Sequence, residues 1–388
     1  MSLVQELSDL HAEVSVQSIT TRRFNQAQML EWLAPIVKRG GFASRPAGTS
    51  AEGRTIPVVT AGTGPVRVVL WSQMHGDEST ATMALLDILN FFSLQPSHPV
   101  VSTIMSSLTV QFLPMLNPDG AERFQRRTAQ QIDMNRDAVR LQTPEARLLK
   151  NIQAETKPHF GFNLHDQDSH YTVGESASVT AIALLAPPLD AKKSENEVLR
   201  RAKHLAAYLV ETLTVLVPGH IARYDDTFEP RAFGDNFQRW GTSTVLVESG
   251  GWNHDPEKMV LRRVNFAGLT CALHAIAGES FQKSDLALYE TLPFNGKNFF
   301  DILLRNVRFA GAPGAEPLPV DIALNLSEET DGSSGPRVQI GTVVDIGDLE
   351  PMGAFREFDC SGVSLDASVI AMDKRIPLDD MLRLIKKR

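Results

Sequence analysis

Cysteine is scarce: Cys271 and Cys360 are the only two in 388 residues, and no Cys-x-x-Cys pair occurs. A thiolate metal knuckle and a disulfide-built scaffold are therefore excluded, and both side chains read as small buried groups. Positive charge is not in excess either. Lys and Arg number 38 against 46 Asp and Glu, a net charge of −8, so no global basic field exists to hold nucleic acid phosphates. Long apolar runs are missing, and no stretch reaches the roughly 18 residues that a membrane span needs. The opening MSLVQELSDLHAEVSVQ lacks the basic start and apolar core of a signal peptide. The expectation is a soluble, cytoplasmic chain with no nucleic acid or membrane partner. Internal repeats and long low-complexity tracts are absent as well.

What is present is ordinary globular composition, 43% hydrophobic and 22% charged. The length suggests two or three domains of roughly 100–200 residues each, and a full core without covalent staples. A short helix is expected over 28–39, broken by Pro35 or packed around it. Val66–Ser72 (VRVVLWS) is a continuous apolar, β-branched run, as in a strand buried on both faces. Further strands are expected at 108–116, 159–164, 181–186 and 244–247. Helices are expected at 79–92, at 143–155 behind a Thr-Pro start, at 194–213 and at 256–277. Strands alternating with helices predict an α/β fold with a mixed, largely parallel twisted sheet and helices on both faces. Beyond Gly278 the period changes to two, at 301–309, 320–326 and 337–346, with turns at 311–319 and 330–336. The chain thus divides into an N-terminal helical segment, 1–44, packed on a catalytic domain, 45–280, and a small antiparallel β domain, 285–388.

Four polar clusters fall directly after predicted strands. They are His75-Gly-Asp-Glu78, Asn117-Pro-Asp-Gly120, His165-Asp166 and Glu248-Ser-Gly-Gly251. Open α/β sheets hold ligands at the carboxyl ends of their strands, so one shared site explains all four. A hydrolytic zinc site takes three nitrogen or carboxylate ligands and a water. His75 and Glu78, three residues apart, reach one ion from a strand-to-helix turn, and His165 at a strand end is the third ligand. His170 and His204 stand without such clusters, in a loop and an amphipathic helix, and are not read as ligands. The stretch 126–137 (RRTAQQIDMNRD) gathers arginines around an Asn and two Asp. Such guanidinium forks recognise carboxylates and polarise carbonyls, and Asp133 could accept a hydrogen bond from a zinc-bound imidazole.

Taken together, His75-x-x-Glu78, Asn117-Pro-Asp-Gly120, Asp133-x-Asn135-Arg136, His165 and Glu248 stand in an order that resembles the zinc carboxypeptidases typified by carboxypeptidase A. The lead-in Gly53-Arg54-x-Ile56 is similar too, and the resemblance covers roughly residues 45–280. It implies His75, Glu78 and His165 as zinc ligands, one ion per chain, and Glu248 as the base that deprotonates zinc-bound water. It implies Asn135 and Arg136 as holders of a substrate's terminal carboxylate. Arg126, or else its neighbour Arg127, would polarise the scissile carbonyl. The family's capping tyrosine has only a displaced counterpart, Tyr224, and the short Glu78–His165 spacing means that some of the digestive enzymes' loops are missing. The resemblance thus implies release of a C-terminal amino acid from a peptide. The alternatives are an N-acyl amino acid deacylase of the aspartoacylase and succinylglutamate desuccinylase type, a peptidoglycan-type amidase, and an inactive zinc-containing binding protein. Asn117-Pro-Asp-Gly120 favours the peptidase, while Glu248-Ser-Gly leans towards the deacylases. A substrate with a free carboxylate is common to the first two readings.

Overall fold

A computed structural model describes residues 1–330 and 337–386, so most of the expected 330–336 turn lies outside the described residues. The chain forms two compact units. One comprises Met1–Ser169 with Thr180–Asn295, the other His170–Val179 with Gly296–Arg388. The change to a period of two in the sequence places this boundary near 285. Residues up to 295 group with the first unit, where the fully buried Tyr289 accepts a hydrogen bond on its hydroxyl from the Ala186 amide, 2.9 Å away.

The first unit begins with α1 (Leu3–Val14), α2 (Gln26–Gly40) and the strands β1 (Ala43–Thr49), β2 (Thr55–Ala61) and β3 (Val66–Ser72). There follow α3 (Thr80–Leu94), α4 (Pro99–Ser107), β4 (Leu108–Leu113), α5 (Pro118–Arg123), α6 (Pro144–Thr156) and β5 (Phe160–Asp166). A two-residue strand, β6 (Thr172–Val173), lies in the segment that groups with the second unit. The first unit resumes with β7 (Ile182–Leu185), α7 (Glu197–Leu213), β8 (Ile221–Arg223), α8 (Phe233–Arg239), β9 (Ser243–Ser249), α9 (Met259–Ala277) and α10 (Ala287–Glu290).

Local chemistry sets most boundaries. Helix α2 runs through the exposed Pro35 and ends at Gly41, whose φ of 61° suits glycine. Helix α7 starts three residues later than expected because the Asn196 side chain accepts from the Leu199 amide and caps it. Likewise α9 starts at Met259, where the Asp255 carboxylate accepts from the amides of Met259, Val260 and Leu261. Strand β4 stops at Leu113, ahead of Pro114, which has no amide hydrogen to give a ladder.

The sheet order is β1-β2-β4-β3-β5-β9-β7-β8. The central strands β4, β3, β5 and β9 are parallel, and β1, β2 and β7 join antiparallel. Alternate residues of β3 serve opposite cores. Val68 and Leu70 face a large core shared with α1, α2, α3, α4, α7 and α9, while Val69 and Trp71 face a smaller one with α6 and α8. That two-sided burial is why VRVVLWS reads as unbroken apolar sequence. Helices cover both faces, as the alternating pattern predicted.

The second unit contains β10 (Asn295–Gly296) in part, then β11 (Phe299–Ala310), β12 (Leu318–Thr330), β13 (Arg337–Gly347), β14 (Gly353–Asp359), β15 (Ser364–Asp366), β16 (Arg375–Pro377) and α11 (Leu378–Lys386). Its sheet has the antiparallel run β11-β12-β13-β16, with β14 and β15 joined parallel to β11. Its main core centres on Ile302, Leu304, Ile322, Leu324 and Val343. Both cysteines are buried and unbridged. Among the described residues no helix is long and apolar enough to cross a membrane.

Candidate metal centre and active site

The parallel strands β3, β5 and β9 end along one edge of the sheet, and each delivers part of the site. After β3 the chain turns sharply through Gln73, a non-glycine residue held at φ 52°. Its side chain donates to the Gly76 carbonyl at 2.8 Å and accepts from Thr82, which fixes the turn that carries His75. Gly76 lies against the backbone of Gly120, where an added Cβ would sit 2.0 Å from the Gly120 carbonyl carbon. Asn117 locks that approach from the other side, accepting from the Gly120 amide at 2.9 Å and donating to the Met74 carbonyl at 3.2 Å. The glycines and asparagine of the first two clusters are thus partners in one packed junction.

Glu78 sits at the centre of the site. Its Oε1 lies 2.7 Å from His75 Nδ1 and its Oε2 lies 2.7 Å from His165 Nδ1. All three side chains are buried, and their ligand atoms fall within 4.8 Å of one another. Two imidazole nitrogens and a carboxylate converging in this way match the three-ligand pattern of a hydrolytic zinc site, which keeps one position open. The residues present therefore fit the metal. His75 Nε2 is 3.0 Å from Asp133 Oδ1, an arrangement that turns Nδ1 towards the metal side.

The charges reinforce one another. Burial opposes a charge on His75, but Glu78 and Asp133 outweigh it and push the imidazole up to about 9. Burial also works against the carboxylates of Glu78 and Asp133, yet both are held far below their ordinary value. The two histidines do this for Glu78, and His75 with Arg126 for Asp133. His165 is pulled down by burial. A metal ion bound here would meet one deprotonated carboxylate and, once it displaces the proton of His75, two nitrogen lone pairs.

Glu248 is placed by sheet register. It pairs with His165 across the parallel β5–β9 ladder, so both side chains emerge on the same face at the strand ends. Its carboxyl is buried, and burial first, then the neighbouring Glu78, raises it well above its ordinary value. On the opposite face the Lys258 ammonium donates to the Ser249 carbonyl at 3.1 Å and lies 3.4 Å from Asp166, which also accepts from Thr80. This buried group ties the ends of both strands together. The sequence does not single out Lys258, which has no motif around it.

Arg126, whose side chain is half exposed, reaches into the centre with its guanidinium. Nη1 lies 3.0 Å from both Glu78 Oε1 and His75 Nδ1, and Nε and Nη2 donate to Asp133 Oδ2 at 3.2 and 3.0 Å. Arg127 turns away instead and donates to the Gln131 carbonyl at 3.0 Å. Of the two neighbours, Arg126 is the one the fold brings to the ligands. Asn135 and Arg136 belong to a short 3-10 turn, Met134–Arg136, that follows Asp133, whose side chain accepts from the Asn135 amide. Tyr224 follows β8, with its amide donating to the Leu184 carbonyl; the capping role expected of it rests on the resemblance alone. Neither His170, which pairs with Asp301 in the second unit, nor His204, near the Ser284 carbonyl, joins the triad.

Residues 32–180 match the family model described as zinc carboxypeptidase. The probable carboxypeptidase 2 of Trichophyton verrucosum is 28% identical over 114 residues, 29% of this chain and 22% of that protein. Carboxypeptidase 2 of Trichophyton tonsurans is 30% identical over 101 residues, 26% of this chain and 18% of that protein. The matched stretch therefore spans about a fifth of the length of these curated relatives. Among solved structures, a metallo-carboxypeptidase from Burkholderia cenocepacia superposes with a TM-score of 0.53 at 16% identity, covering 66% of this chain and 70% of that one. Bovine thrombin-activatable fibrinolysis inhibitor gives 0.54 at 11% identity, covering 66% of this chain and 98% of that one. At these identities the structural likeness speaks for the fold. The resemblance read from the sequence holds: residues 32–180, with His75, Glu78 and His165 among them, match the zinc carboxypeptidase family and lie in a carboxypeptidase fold.

Proposed function

We propose that this chain is a zinc-dependent hydrolase that releases the C-terminal amino acid from a peptide. The observation that carries the proposal is one sheet edge bearing a complete set of groups. The His75–Glu78–His165 triad, Glu248 in register beside His165, and Arg126 bonded to the ligand carboxylate all meet there. Zinc, when bound by the triad, supplies a readily deprotonated water and a Lewis acid for the scissile carbonyl.

The chain's own residues do the rest. Glu248, buried and beside the triad, accepts the proton of the attacking water and passes it to the leaving amine, a role worth about 10²–10⁴-fold in rate. The Arg126 guanidinium, fixed by Asp133, offers preorganised positive charge where the carbonyl oxygen becomes negative, worth about 2.7–4 kcal/mol per donor. Asp133 orients both His75 and Arg126 and so couples the ligand to the electrostatic helper. Asn135 and Arg136 bind the terminal carboxylate and set the distance from that anchor to the bond that breaks.

The discriminating assay compares C-terminal release from blocked dipeptides with hydrolysis of acetyl- and succinyl-amino acids and of peptidoglycan fragments. Preferential release of the C-terminal residue is expected. Turnover of the acyl-amino acids alone would replace the proposal with a deacylase, and turnover of the peptidoglycan fragments alone with an amidase.

A further inference from the structure

Asn135 and Arg136 are the pair to which the proposed function gives the substrate's terminal carboxylate, and the part played by their neighbours rests on that reading. Both are held by one segment, residues 229–236, which comprises the loop before α8 and its first turn. The Phe233 amide donates to Asn135 Oδ1 at 2.9 Å, leaving Nδ2 as the donating end of that amide. The Ala138 amide donates to the Arg231 carbonyl at 3.0 Å, fastening the loop to the turn that carries the pair. The loop is braced internally as well. Asp235 Oδ1 accepts from the Glu229 amide at 3.1 Å, and Asn236 Nδ2 donates to the Pro230 carbonyl at 2.8 Å.

Glu229 is the loop's contact with Arg136. Its Oε2 lies 3.2 Å from Arg136 Nε, and Arg136 Nη1 donates to the Asn135 carbonyl at 2.8 Å. These two contacts, at Nε and at Nη1, hold the plane of the guanidinium. The Glu229 carboxylate is itself gripped by Arg231, which donates from Nε to Oε1 at 2.9 Å and from Nη2 to Oε2 at 2.8 Å. Its charge is thus largely neutralised before a substrate carboxylate arrives, and its hold on Arg136 is at Nε rather than at the outer edge of the fork.

We infer that Glu229 is a positioning residue, held by Arg231, that presets Arg136 for the substrate carboxylate instead of competing with it. Without that side chain the arginine gains rotamer freedom that each binding event must then remove. The cost falls on substrate affinity, because the carboxylate anchor is used equally in the ground and transition states.

The test is steady-state kinetics of the zinc-loaded enzyme on a blocked dipeptide, read beside binding of a free aromatic amino acid. That product presents a carboxylate whichever bond the enzyme cuts. Glu229→Ala is expected to raise KM and the product Kd about tenfold, with kcat held within about twofold. Glu229→Gln, which keeps an oxygen beside Nε, is expected to lie near wild type. Glu229→Asp keeps the charge but draws it back by one carbon, and should fall between the two. It supplies the measurement if the alanine variant does not fold. Unchanged or lower KM and Kd in these variants, an equal rise in the Gln and Ala variants, or a loss confined to kcat would each overturn the inference. If the wild type binds the amino acid but leaves the dipeptide intact, the proposed peptidase reading fails while the Kd series still decides the role of Glu229. Failure of the wild type to bind the amino acid would overturn the inference too.

Discussion

At the scale of single residues, the site depends on carboxyl groups whose surroundings give them opposite characters. Glu78 and Asp133 are held charged by the imidazoles and Arg126, while burial raises Glu248. Glu248→Gln retains the shape and the metal ligands but removes the proton acceptor. Turnover is expected to fall by about 10²–10⁴-fold with zinc content unchanged. Normal turnover in that variant would remove Glu248 from the base role. A second carboxyl, Asp235, is pushed up to about 7 by burial from its ordinary 3.8. Between those values the folded state holds a proton that the unfolded state has lost, so this group's contribution to stability falls as pH rises through that window. Asp235→Asn should abolish that fall and stabilise the protein at pH 8 by on the order of 1–3 kcal/mol. Urea unfolding of both proteins at pH 5 and pH 8 checks it, and an unchanged difference between the two pH values would contradict it. The metal ligands were legible in sequence because each follows an apolar strand and carries a recognisable neighbour. Glu229 and Lys258 were not, since Arg136 and Asp166, which they meet, lie far away in sequence and no spacing links them.

At the scale of elements, the inner strands β3, β5, β7 and β9 were legible because burial on both faces makes them continuous apolar runs, whereas the largely exposed β1 and the three-residue β8 were not. Helix α1 escaped notice. Its buried face, Val4, Leu7, His11 and Val14, includes a histidine whose role emerges only in the fold. His11 Nε2 lies 2.8 Å from Asp87 on α3, and Arg262 on α9 pairs with the same carboxylate through Nε and Nη2, both at 2.7 Å. Arg262 also donates to the carbonyls of Val16 and Ile19. This buried ionic cluster fastens the segment after α1 to the helices behind the sheet. The segment in turn accepts a hydrogen bond at the Arg22 carbonyl from Ser79, the residue after Glu78. Arg262→Met would leave Asp87 buried without its principal counter-charge, at a cost of about 3–5 kcal/mol. Urea unfolding measures it, and unchanged stability would show that the cluster contributes nothing net. The register of β5 on β9 was likewise beyond the sequence. Two short apolar runs some 80 residues apart carry no mark of which residues will face each other, and it is this pairing that sets Glu248 beside His165.

At the scale of the whole molecule, residues from 75 to 248 meet because the sheet order sets β5 between β3 and β9, bringing three distant strand ends to one edge. The first unit holds this entire site, and the boundary of the second was less legible because residues 170–179 join it from the middle of the chain. Chain order alone gives no sign of such an exchange. A metal that binds the folded triad and not the unfolded chain adds to stability by mass action, so the metal-free protein should melt at lower temperature. The most direct measurement is to strip the protein with a chelator and titrate zinc back while following C-terminal amino acid release from a blocked dipeptide. One buried triad occurs among the described residues. The expected result is therefore loss of release on stripping and recovery that saturates at one zinc per chain, abolished in His75→Ala. Undiminished release from the metal-free protein, or full zinc uptake and recovery in His75→Ala, would contradict it.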